Sequence, residues 1–111
     1  MSKKKKFRAE RKELKQQYEL LFKQVSAALF AEDPININFG GNTDEYDPET
    51  GTILPRLKEA TTVSDVQVIL YEEFVRWFGI SEAGARDSYA SLAAEVWALC
   101  QEFRSRRLIQ R

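Results

Sequence analysis

Phe7, Leu14, Tyr18, Leu21, Val25 and Leu29 recur at steps of seven, four, three, four and four. That spacing puts them on one stripe of an α-helix, which Phe22 and Ala28 widen. The opposite face is mostly Lys, Arg, Glu and Gln, all strong helix formers. Glu10, Glu13 and Glu19 sit among the bases, and Glu10 and Glu19 have a base four residues away. A helix is therefore expected over about residues 8–31, with residues 1–6 frayed. Leu20 and Phe30 fall off the stripe and face a second neighbour or solvent.

Asp33-Pro34 ends this helix, because the residue before proline is pushed out of the α region. Ile35, Ile37 and Phe39 then alternate with Asn36 and Asn38. With no partner strand elsewhere, the run reads as an extended connector over 33–46 whose apolar side chains plug the core. Gly40-Gly41-Asn42 is a turn, and neither glycine-rich phosphate motif is present around it. Asp47-Pro48-Glu49 has helix-start chemistry: an aspartate cap, a proline at the first helical position and an acid beside the positive dipole end. A short helix over about 48–60 follows, expected to kink at Pro55, whose ring meets the carbonyl of Gly51.

Ser64-Asp65-Val66-Gln67 has the pattern of a capping box, with Val63 and Val68 as its staple. Val66, Ile69, Leu70, Phe74, Trp77 and Phe78 give the next helix, about 64–78, a wide apolar face. Gly79 is expected to close it as a left-handed cap with Ile80 in apolar contact. Ser81 is then the expected cap of a last helix over about 82–107, carrying Tyr89, Leu92, Val96, Cys100 and Phe103 on one stripe. Gly84, Ala85, Ala90, Ala93, Ala94 and Ala98 allow close approach, and residues 108–111 fray. The chain as a whole reads as all-α: one domain, 1–111, a bundle of four helices with the second short.

A chain of 111 residues, 43% hydrophobic and 31% charged, is large enough to bury a core without staples. No apolar run approaches the ~20 residues that span a bilayer, and the N-terminal lysines precede no apolar segment of the secretory kind. The expectation is a cytoplasmic protein with no membrane partner. The sequence contains no histidine and one cysteine, which removes His-based metal sites and every Ser-His or Cys-His pair. Cys100 lies on an apolar stripe and reads as an inert buried thiol. Phe74, Trp77, Phe78, Tyr71 and Trp97 read as core aromatics. No catalytic constellation is legible, and no cofactor or metal is expected.

The net charge is zero but unevenly spread. Residues 1–24 carry nine Lys/Arg against three Asp/Glu, 25–73 two against ten, and 74–111 six against four. The densest acids, Asp44, Glu45, Asp47 and Glu49, surround Tyr46. These five residues are the expected partner-binding surface of a non-enzymatic protein-interaction domain, offered to a basic protein. A cation site in the same turn is an alternative, although an EF-hand starting at Asp44 would meet Glu49 where it needs glycine and Pro55 where it needs glutamate. Nucleic-acid binding through Lys3, Lys4, Lys5 and Lys6 on a basic first helix is the other alternative. A long amphipathic first helix also leaves a homodimer open.

Asp33-Pro34-x-x-Ile37-x-Phe39-Gly40, Asp44-Glu45-Tyr46-Asp47-Pro48-Glu49, and Phe74-x-x-Trp77-Phe78-Gly79 together resemble a family of small uncharacterised bacterial helical proteins. The resemblance spans about residues 30–80. It implies a compact helical fold in a bacterial cytoplasm and brings no established activity or catalytic residues. By size and type such chains are similar to immunity proteins that neutralise a toxin.

Overall fold

The computed structural model describes the backbone of residues 3–34 and 45–109, and the side chains of Lys12, 15–34 and 45–106. Four α-helices build it: α1 (Lys3–Glu32), α2 (Asp47–Leu57), α3 (Val63–Ala83) and α4 (Ala90–Ile109), with a 3-10 turn at Arg86–Tyr89. No strand occurs among the described residues. The all-α four-helix bundle expected from the sequence is present, with α2 as its short member.

Side-chain pairs between helices fix the topology. Ser26 donates to Thr50 at 2.8 Å and Lys58 lies over Tyr18, so α1 and α2 are antiparallel. Arg56 meets Glu72 and Glu73 while Thr52 accepts from Trp77, so α2 and α3 are antiparallel too. Tyr71 packs on Tyr89, and Arg104 reaches back to Ala60 beside the start of α3. The bundle therefore runs up-down-up-down, and its fourth helix packs along its first. The stripe of α1 faces inward as expected: Leu21, Val25 and Leu29 are buried among Ile53, Leu70, Leu92 and Val96. Leu20 is exposed and Phe30 packs half-buried against the core.

Helix boundaries follow local chemistry, and several differ from expectation. Asp33 stops α1 with a positive φ of 48°, which a short polar side chain before proline tolerates. Residues 35–44, including Ile35, Ile37, Phe39 and Asp44 of the expected connector, lie outside the described residues. The first residue of α2 is Asp47, and Tyr46 holds the cap position without a side-chain cap bond. Asp47 is therefore not the cap; it adds first-turn negative charge beside Pro48 and Glu49. Pro55 lies inside α2, and the helix closes two residues later at Leu57 instead of Ala60.

The capping box of α3 belongs to Thr62, not Ser64. The Thr62 hydroxyl accepts from Asp65 N, and Asp65 Oδ2 accepts from Thr62 N. Further hydrogen bonds, chiefly from Thr61 N, hold the Asp65 carboxyl below its usual range. Gly79 adopts φ 87°, ψ 163°, a left-handed φ that suits glycine. The chain nevertheless resumes helical geometry as far as Ala83, leaving Ile80 72% exposed instead of in apolar contact. The last helix consequently starts at Ala90 and not at Glu82, so Ser81 caps nothing. Tyr89 locks this corner: its buried hydroxyl donates to Ala83 O at 2.6 Å, and burial pushes it up to about 12.

Candidate functional site

The acidic turn divides into residues that face solvent and residues that do not. Glu45 is exposed and Asp47 half-buried. Tyr46 is 0% exposed; its ring packs on Phe74 and its hydroxyl donates to Asp33 Oδ1 at 2.5 Å. Glu49 is 5% exposed. This corrects the reading of the turn as a five-residue presented surface, because Tyr46 ties α1 to α2 and Glu49 points inward. Among the described residues no group of three or more Asp, Glu or Cys is placed to hold a metal. Lys3, Lys4, Lys5 and Lys6 lie in the first turns of α1. Trp77 is exposed and donates to Thr52, so it is not a core aromatic.

Glu49 has a measurable signature. Burial raises its carboxyl above the ordinary value and Asp47 adds to the rise, against a backbone hydrogen bond that lowers it. Its Oε2 has no hydrogen-bond partner. A raised folded-state value means that the charged form is disfavoured in the native chain. Ionisation therefore removes stability as pH climbs through the glutamate range, and the penalty is absent below it. Glu49→Gln should melt higher than the parent at neutral pH, and the gap should close as pH falls to about 4, the ordinary glutamate range. A variant less stable than the parent at pH 7 would contradict this placement.

The feature with the geometry of a site lies at the other end of α2. Because α2 stops at Leu57 while α1 and α4 continue, the three helices leave a half-open groove of about 430 Å³. Its floor is Leu21 from α1, Leu54 and Leu57 from α2, and Cys100 from α4; Tyr18 and Phe103 form its sides. Around it stand Lys15, Lys58 and Arg104, and among the described residues no acidic side chain lines it.

Each cation is placed by a local cause. Arg104 Nη2 donates to Leu57 O at 3.1 Å and to Ala60 O at 2.9 Å, bonding carbonyls at and just past the end of α2, of which Leu57 O also accepts from Ala60 N. Its guanidinium lies 5.5 Å from the Trp97 ring, a cation–π distance. Lys58 Nζ is 5.9 Å from the Tyr18 ring centroid. Lys15 is exposed one helical turn before Tyr18. Burial pushes the Cys100 thiol up, although Arg104 opposes the shift, so the thiol stays protonated on the groove floor.

The groove can bind an apolar group and pair an anion at its rim. Sequence reasoning placed Lys15 only on a basic face offered to nucleic acid and did not single out Lys58 or Arg104, because the groove exists only through the length difference between α2 and its neighbours. The available signals were the basic excess of residues 1–24 and the arginines of the tail.

Among the described residues no helix is long and apolar enough to cross a membrane. The fold and groove define an all-α bundle with an amphipathic cleft. Comparison with protein-family models, curated proteins and solved structures finds no match to the chain.

Proposed function

We propose that the chain is a non-enzymatic, cytoplasmic protein-interaction domain whose seat is the α1–α2–α4 groove. One observation carries the reading: an apolar cleft on the surface of a small bundle, ringed by three cations that are not neutralised within it. Apolar cores with polar rims are the anatomy of protein interfaces. The absence of histidine and the protonated, inward-facing Cys100 support binding over catalysis. The acidic turn keeps Glu45 and Asp47 as a secondary polar surface, but with Tyr46 and Glu49 turned inward it lacks an apolar centre.

A photo-reactive benzoylphenylalanine at Tyr18, on the side of the groove, tests this in native extract, with the same group at exposed Ser91 as control. The expected result is a discrete adduct from position 18 alone, mapping by mass spectrometry to one segment of the captured protein. Equal labelling from both positions, or none from either, would remove the groove as the seat.

A further inference from the structure

We infer that the groove's occupant is an acidic amphipathic helix of a partner protein, its apolar side chains on the floor and its carboxylates against Lys15, Lys58 and Arg104. The inference rests on the groove being the seat proposed above and names the chemistry that fills it.

Three observations select this occupant. The first is shape. Leu54 and Leu57 of α2 supply one edge of the groove, and α2 ends there. An incoming helix lying between α1 and α4 would continue the layer that α2 begins, presenting apolar residues at the i, i+3, i+4 spacing used in helix-in-groove recognition.

The second is charge. Lys15, Lys58 and Arg104 stand around the groove, and among the described residues no acidic side chain lines it. A second copy of this chain docked by the same face would set like charges against each other, since a two-fold interface opposes each patch to itself. An acidic partner meets the same field as attraction and is steered by it.

The third is the apolar floor. A nucleic-acid backbone would pair with the cations but leave the half-buried rings of Tyr18 and Phe103, above that floor, without an apolar counterpart. Amphipathic polypeptide satisfies both parts of the site.

The test uses the full chain and a synthetic amphipathic helix with leucine on one face and glutamate flanking it, beside a counterpart carrying lysine in place of glutamate. Lys15 and Lys58 are exposed, so the double variant Lys15→Glu/Lys58→Glu should keep the parent's melting curve. Arg104 is left intact because it holds the end of α2. By calorimetry the acidic peptide should bind the parent and lose about tenfold in affinity on the double variant. The lysine peptide should show the reverse preference, and raised salt should weaken both.

Equal binding of the acidic peptide to parent and variant would overturn the inference. So would a DNA duplex or a fatty acid binding in its place with the same Lys15 and Lys58 dependence. Self-association that the double variant abolishes, seen by sedimentation, would replace the acidic partner with a second copy. A discrete adduct from position 18 alongside a failed acidic peptide would remove only the charge class and leave the seat standing.

Discussion

Phe74→Ala is expected to cost about 3–5 kcal/mol, the range for deleting a fully buried aromatic ring and leaving a cavity. Phe74 has no exposed surface and touches three other rings: Tyr46 at 5.9 Å, Phe78 at 5.7 Å and Tyr89 at 5.4 Å between centroids. Those contacts join the start of α2, the far end of α3 and the turn into α4. A domain of this size is typically stable by only ~5–15 kcal/mol, so the loss consumes much of the margin. Urea denaturation should show the midpoint falling with the slope unchanged. Phe74→Leu should lose clearly less, because it retains most of the volume. A loss under about 1 kcal/mol for the alanine variant, the level of ordinary surface changes, would mean that the ring cluster does not hold these elements together.

The second large effect centres on Glu73, whose side chain is 1% exposed. Its Oε2 accepts from Arg56 Nη1 at 2.9 Å and from Arg76 Nη1 at 3.3 Å. Arg76 is mostly exposed and gives little in solvent. Arg56→Met should therefore leave a buried carboxylate nearly alone, at a cost of about 3 kcal/mol, the low end for breaking such a pair because Arg56 is itself 38% exposed. The informative comparison is the double variant Arg56→Met/Glu73→Leu. Removing the charge along with its partner should recover most of the loss, since apolar replacement of a buried pair is often neutral. Thermal melts of parent, single and double variants would show it. If the double variant is as unstable as the single, the cost lies in lost packing by the Arg56 stem and not in the stranded charge.

What the sequence made legible was the part governed by short-range periodicity. The α1 stripe, the Asp33-Pro34 stop and the positive φ of Gly79 all follow from residues within one or two turns. The misread boundaries share a cause, which is that two local signals competed and packing chose between them. Thr62 and Ser64 both precede an apolar run, but Asp65 sits three residues after Thr62 and closes a reciprocal cap there. Gly79 broke the helix as its chemistry requires, and the chain then turned once more to bring Ala83 beneath the Tyr89 hydroxyl. That contact spans only six residues, but it is made by the folded corner and not by a periodic pattern or a cap motif.

The same distinction separates the acidic turn from the groove. Acid density is visible in a string of letters, whereas the direction of Tyr46 is set by Asp33 thirteen residues earlier and Phe74 on another helix. The groove is less legible still, since it is bounded by residues from 15 to 104 and by the place where α2 stops.

The double hydrogen bond from Arg104 has a consequence for synthesis of the chain. It joins α4 to carbonyls 44 and 47 residues earlier. While the chain is being made from its N-terminus, α1, α2 and α3 emerge first, before Arg104 can reach the Leu57 and Ala60 carbonyls and while the side of α1 that meets α4 is uncovered. The α4 wall of the groove, with Cys100, Phe103 and Arg104, therefore forms only after the other three helices have been made.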